Sequence, residues 1–162
     1  MKTLNIDTRA KTARSKIGTS TPVVYRAVYS WLEDRGQRET VLDFGCGYGQ
    51  SRDHFQGLEQ RPIWFGLDLY PRSDSHWILD QKEWPKYQGH FKVVMLSNVV
   101  NVQETQSQLW ETLKQAIGFL ANDGVLFWNY PQSPRRMPLT LGNMKAIIQA
   151  FIGPNQKAIY CP

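Results

Sequence analysis

Val41-Leu42-Asp43-Phe44-Gly45-Cys46-Gly47-Tyr48-Gly49-Gln50 joins an apolar run, with a carboxylate near its end, to a loop that carries three glycines. The pattern reads as a buried strand feeding a ligand-binding turn. Glycine is required where a chain must bend sharply after a strand or let a ligand come close, because a side chain would clash. Nitrogens of such a loop and of the helix behind it face the ligand, and the positive end of that helix favours an anionic group.

Working outward, Thr21 and Pro22 read as a helix start with proline at the first helical position. Val24, Ala27, Val28, Trp31 and Leu32 then fall on one helical face, and Gly36 ends the segment. Beyond the glycine loop, residues 50–58 predict a helix and residues 63–68 a second strand, again ending in a carboxylate. Residues 77–80 predict a short third strand and residues 91–96 a strongly apolar one. Leu109, Trp110, Leu113, Ala116, Ile117 and Leu120 give residues 104–120 an amphipathic helical period. Asn122-Asp123-Gly124 is expected to turn the chain into a strand over 125–128. A proline- and arginine-bearing loop follows, then a helix over 143–152 and a last strand over 157–161.

Strands that are apolar nearly throughout and alternate with helices predict an α/β fold: a doubly wound, mostly parallel sheet with helices on both faces. After residue 128 only one helix and one strand remain, so the C-terminal part is expected to be short for this class. In such sheets ligands sit beyond the carboxyl ends of the strands. Asp43, Asp68, Asp80 and Asn98 all fall at or just after predicted strand ends.

A chain of 162 residues fits one domain with a real core. Residues 23–162 are read as that domain and residues 1–22 as a basic arm or lid. Lys2, Arg9, Lys11, Arg14 and Lys16 against Asp7 place four of the net +5 charges before Pro22. Such an arm suits phosphate contacts with DNA or RNA, and equally a solvated terminus. No secretory or membrane segment is recognisable, which predicts a cytoplasmic protein. Cys46 and Cys161 have no metal-ligand spacing, so neither a structural disulfide nor a metal site is expected. A homo-oligomer is compatible with the composition.

The loop departs from the dinucleotide pattern G-x-G-x-x-G, because Gln50 stands where its third glycine would be, and no Gly-Lys-Ser/Thr follows as in a P-loop. Asp43 can hold a ligand ammonium directly or through water, so a zwitterionic ligand suits the site. Asp68 lies about 20 residues beyond the first glycine, the distance for a carboxylate that accepts both hydrogen bonds of a ribose diol. Asp80 can accept from an adenine amino group. Each carboxylate alone reads equally as a turn or cap residue; together they are in register with the glycines.

Val41 to Gln50, with Gly66-Leu67-Asp68-Leu69, resembles the class I S-adenosylmethionine-dependent methyltransferases, over roughly residues 40–130. The resemblance implies a Rossmann-like fold, Gly45, Gly47 and Gly49 against the methionine part of S-adenosylmethionine, and Asp68 on its ribose. Asp43, Tyr48, Leu69, Asp80 and Asn98 complete the implied cofactor contacts, Asp80 on the adenine side. Ser15 to Pro22 and Ser97 to Val102 are also similar to methyltransferase-like proteins associated with DNA phosphorothioation and with phages, which suggests an acceptor related to nucleic acid.

Methyl transfer from a sulfonium is an in-line displacement that alignment and desolvation can carry without a dedicated base. Residues 97–102 contain no cysteine for methylation at cytosine carbon 5, no Pro-Pro-aromatic loop for exocyclic amines, and no aspartate of the Lys-Asp-Lys-Glu set used on ribose. Asn98 remains as the candidate catalytic residue, to orient an acceptor, touch the cofactor or serve structure. Asn101 is expected to cap the following helix. Candidate acceptor contacts are Lys16, Asn101, Trp128, Asn129 and Tyr130, whose aromatics can stack on a planar substrate; for Trp128 core packing is the competing role. Three functions follow: a methyltransferase, a non-catalytic cofactor-binding or regulatory protein of the same fold, or a small-molecule methyltransferase with the N-terminal segment as lid.

Overall fold

The computed structural model describes residues 21–68, 76–130 and 139–162. Most of the basic arm including Lys16, Leu69, and the loop of Pro131, Pro134, Arg135, Arg136 and Pro138 lie outside the described residues.

Five strands, β1 (Thr40–Phe44), β2 (Ile63–Leu67), β3 (Phe91–Leu96), β4 (Leu120–Trp128) and β5 (Lys157–Tyr160), form one sheet in the order β2-β1-β3-β4-β5. Every neighbouring pair is parallel. The chain steps outward from β1 to β2, then crosses back over β1 to β3 and continues in the other direction. That reversal opens a crevice at the carboxyl ends of β1 and β3. Thr40 fixes the register where the chain returns: its Oγ accepts the Lys92 N–H at 2.9 Å.

Because both faces of the sheet are covered, successive residues of one strand enter different cores. Val41, Val93, Met95, Val125 and Phe127 meet Val24, Tyr25, Val28 and Leu32 of helix α1 (Val23–Arg35), together with Phe55 after the short helix α2 (Gln50–His54). Leu42, Phe44, Val94, Leu96, Leu126 and Trp128 meet helices α3 (Gln106–Gly118) and α4 (Leu141–Phe151) and Trp84 of a 3-10 turn. The doubly wound α/β architecture expected from the alternation is therefore present. After β4 the described residues add one helix and one parallel strand, and pairing continues one residue further as the Cys161 N–H donates to Trp128 O at 2.8 Å.

Several local expectations are corrected. Pro22 occupies the cap position of α1 rather than its first turn. Residues 77–80 make no strand: a single parallel bridge joins Ile78 to Gly66, and the backbone then winds into the 3-10 turn Gln81–Tyr87, which contains Pro85. The helix expected over 50–58 is α2 followed by a 3-10 turn over 55–57. Asn122-Asp123-Gly124 does not precede β4 but bulges within it, where two steps along β3 face five along β4. Lys92 holds that bulge by bonding the Asp123 carbonyl at 2.9 Å and its carboxylate.

Thr105, not Asn101, caps α3, in a reciprocal box with Gln108. Trp110, expected on the apolar face of that helix, is half exposed, because Leu109, Leu113, Ala116 and Ile117 already fill the stripe that reaches the sheet. Among the described residues no helix is long and apolar enough to cross a membrane.

Candidate functional site

All three glycines of the loop after β1 have positive φ: 84° at Gly45, 53° at Gly47 and 73° at Gly49. Side chains rarely tolerate this region. A Cβ on Gly45 would lie 2.7 Å from Val99 Cγ2, so the loop after β1 is packed directly on the loop after β3. A Cβ on Gly47 would meet nothing within 4 Å. Gly47 is thus the point where the loop faces open space, with Tyr48 exposed beside it.

The loop amides are turned inward. Those of Gly45 and Cys46 donate to Leu67 O at 2.7 and 3.1 Å, and that of Gly49 to Cys46 O at 2.8 Å. The Gly47 N–H donates to Asp68 Oδ2 at 2.8 Å. With these four committed and α2 only five residues long, the three glycines and Cys46 contribute no outward N–H groups, and the long helix that an anion cradle uses is absent behind them. The anion-favouring helix end expected from the sequence is accordingly weak.

Beneath the loop lies a buried polar chain that sequence reading missed. Trp64 Nε1 donates to Ser51 Oγ at 2.9 Å, and Ser51 Oγ donates to Asp43 Oδ2 at 2.5 Å. Asp43 and Ser51 are both fully buried. Asp43 Oδ1 is also buried and has no hydrogen-bond partner, a costly condition for a carboxylate oxygen. Burial pushes the Asp43 carboxyl up to about 7, the Ser51 hydrogen bond opposes that rise, the Asp68 charge adds to it, and a weaker hydrogen-bonding interaction with the Tyr25 hydroxyl opposes it again. Tyr25 of α1 is raised by burial and then by the Asp43 charge. The Cys46 thiol is raised by burial and by both carboxylates, so it is a poor nucleophile.

No sequence signal marked Ser51, Trp64 or Tyr25, because they reach Asp43 from three separate elements. Gly66 entered the sequence reading only through the Gly66-Leu67-Asp68-Leu69 resemblance, and a Cβ there would lie 2.6 to 2.7 Å from Cys46 Sγ, Ile78 Cδ1 and Trp64. Its bareness lets the loop, β2 and the 77–79 segment close on one another.

At the other side of the crevice, Asn98 has φ 58°, the one positive value among described non-glycine residues, a conformation asparagine tolerates better than most. Its N–H donates to Asn129 Oδ1 at 2.7 Å, and Asn129 Nδ2 donates to Asn98 Oδ1 at 2.8 Å. The ends of β3 and β4 are thereby tied by a reciprocal pair. Val99, next to Asn98, is the residue that touches Gly45, so this pair adjoins the glycine loop.

The remaining candidates are dispersed. Asp80 is exposed and caps the 3-10 turn, accepting the Lys82 N–H at 3.0 Å. Trp128 is buried, its ring 5.0 Å from that of Tyr160, and lies in the core instead of in the crevice. Tyr130 is buried too, with its hydroxyl on Leu139 O at 2.8 Å. Asn101 sits in the 3-10 turn Val100–Val102 with Oδ1 buried and unpartnered. No group of three or more histidine, cysteine or acidic side chains is placed to hold a metal among the described residues.

A family model described as a methyltransferase domain matches residues 23–150. The chain belongs to the methyltransferase-domain family. No curated protein matches it. The match takes in every strand of this methyltransferase domain except β5, and with it the glycine loop, Asp68, Asp80, Asn98 and Asn129.

Proposed function

We propose that this methyltransferase domain binds S-adenosylmethionine at the carboxyl ends of β1 and β2 and transfers its methyl group to an acceptor in the crevice beside β3 and β4. One observation carries the reading: the glycine loop is flanked by two carboxylates, Asp43 and Asp68, while four of its own amides are spent internally. A site of that sign favours a cation over a phosphate. The unpartnered Asp43 Oδ1 fits an ammonium held directly or through water, and the open side of Gly47 fits close approach of the methionine part.

Bound there, S-adenosylmethionine supplies an electrophilic methyl on sulfur. Asp43 holds the amino group, and its own ionisation is favoured by that cation. Asp68 accepts from the ribose hydroxyls, Tyr48 screens the loop from water, and Asp80 borders the adenine. Asn98, oriented by Asn129, positions the acceptor. Nucleic acid is the favoured acceptor class because the arm that carries Lys16 is basic. The reciprocal Asn98–Asn129 pair favours a second reading, a cofactor-binding protein without transfer, since both side-chain oxygens are already taken up within the pair.

Calorimetric titration with S-adenosylmethionine and with its demethylated product tests the binding. Heat with both is expected, and Asp68→Ala should weaken them about 10- to 100-fold, the loss of one or two hydrogen bonds to a charged acceptor. Silence at millimolar concentration, or an unchanged affinity in the variant, refutes the assignment. Transfer of radiolabelled methyl into DNA, RNA and protein panels then separates the enzyme from the non-catalytic reading.

A further inference from the structure

A groove of about 290 Å³ runs beside the outer edge of the sheet at β2. Arg38, two residues before β1, and Arg61, two residues before β2, enter it from the amino ends of the strands, and Arg52 enters from α2. Gln56, Ile63 and Trp77 form part of its walls, and no carboxylate is among its described lining residues. Because the strands are parallel, Arg38 and Arg61 lie opposite the glycine loop, on the order of 15 Å away along a five-residue strand, while Arg52 and Trp64 bring the other wall of the groove up to Gly49.

Three features set this surface apart. Several cations of the described fold are committed to carboxylates: Arg35 to Glu39 at 3.0 Å, Lys86 to Glu83 at 2.6 Å, and Lys92 to Asp123. Arg38 and Arg61 are exposed and have no carboxylate partner among the described residues. Glu39, adjacent to Arg38, is engaged by Arg35 and by Gln37. Arg52 is held in place, its guanidinium 4.9 Å from the centre of the Trp77 ring. Three planar forks, one of them stacked, with an apolar wall at the 37% exposed Ile63, match the oxygens of successive phosphates and the sugar faces between them.

We propose that this groove is a second binding site, for the phosphodiester backbone of single-stranded nucleic acid. It reads no base sequence, and it does not depend on the methyl-donor reading. In a protein that modifies nucleic acid it acts as a remote hold on the strand, and in a non-catalytic one as the main contact.

Anisotropy of a labelled single-stranded thymidine oligomer with the full chain tests it. Three phosphate contacts contribute a salt slope of about −2, so this part of the affinity falls roughly 15-fold between 50 and 200 mM salt. The double variant Arg38→Gln, Arg61→Gln should bind at least about tenfold more weakly at 50 mM, with the slope flattened by about 1.4. Arg38→Lys, Arg61→Lys should retain most of the binding, which separates lost charge from lost fold. Equal affinity and slope in the wild type and the glutamine variant overturn the proposal and place any binding on the N-terminal arm. Displacement of the oligomer by polyglutamate as readily as by unlabelled oligomer overturns it in favour of an acidic protein partner. Loss of oligomer binding in the glutamine variant, with S-adenosylmethionine calorimetry silent in both proteins, upholds the groove while refuting the donor site.

Discussion

At the ends of β1 and β2, two carboxylates and three left-handed glycines are wired together through buried Ser51 and Trp64, and one carboxylate oxygen is left without a partner. At the ends of β3 and β4, two neutral asparagines satisfy each other at a more open position. Both pairs sit on the same edge of one sheet, yet the first stores unmet charge and the second stores none. Unmet charge is what a ligand of defined sign can relieve. A self-satisfied amide pair positions its neighbours and specifies little about what arrives.

The largest expected effect would come from removing the charge on the first side. Asp43 carries its proton up to about 7 in the fold, against about 4 in the unfolded chain. Between those values the native state binds more protons, so stability falls as pH rises from about 4 to 7, by on the order of a few kcal/mol. Asp43→Asn should flatten that slope, read as thermal midpoints from pH 4 to 8 without ligand. A slope identical in both proteins would remove the stored charge from the comparison. S-adenosylmethionine should shrink the wild-type slope and leave the variant's unchanged.

Gly66→Ala tests whether the first side depends on tight closure. A Cβ there meets three neighbours at under 2.8 Å, an overpacking cost of roughly 1–3 kcal/mol. Denaturant titration should show this loss, and a neutral result would mean the loop and β2 can separate cheaply. Gly47→Ala offers the contrast, since its Cβ enters open space. Backbone strain alone should cost it about 1 kcal/mol, while donor affinity drops further than stability. Equal losses in both variants would erase the distinction between packing and ligand approach.

The smallest effect belongs to the second side. Asn98→Gly keeps the positive φ and the backbone N–H bond to Asn129 Oδ1, and removes only the bond from Asn129 Nδ2 to the Asn98 side chain, at about 0.5–1.5 kcal/mol in chemical denaturation. Asn98→Ala adds the strain of alanine at φ 58° and should be less stable than the glycine variant. If methyl transfer survives Asn98→Gly undiminished, the asparagine is structural and the two sides differ more sharply than proposed.

Strand positions were legible because parallel strands buried on both faces leave unbroken apolar runs, as in residues 91–96, which match β3 residue for residue. The glycine loop was legible because positive φ leaves a compositional mark. Residues 77–80 were not: one bridge to Gly66 looks, in sequence, like the start of a strand. Trp110 misled because helical period marks a stripe without saying how wide the buried stripe is. Ser51 and Trp64 could not be found, since a hydrogen-bonded chain across α2, β2 and β1 has no fixed spacing. Asp80 shows the limit of reading acids at strand ends, because capping a turn and meeting a ligand call for the same side chain.

Tyr130 donates its hydroxyl to the Leu139 carbonyl at 2.8 Å, and its own carbonyl accepts the Tyr160 hydroxyl at 3.1 Å. Two phenols therefore clamp the carboxyl end of β4, one to the residue that precedes the cap of α4 and one to the last residue of β5. The corner is riveted from both sides, so the end of β4 is held independently of the Asn98–Asn129 pair beside it.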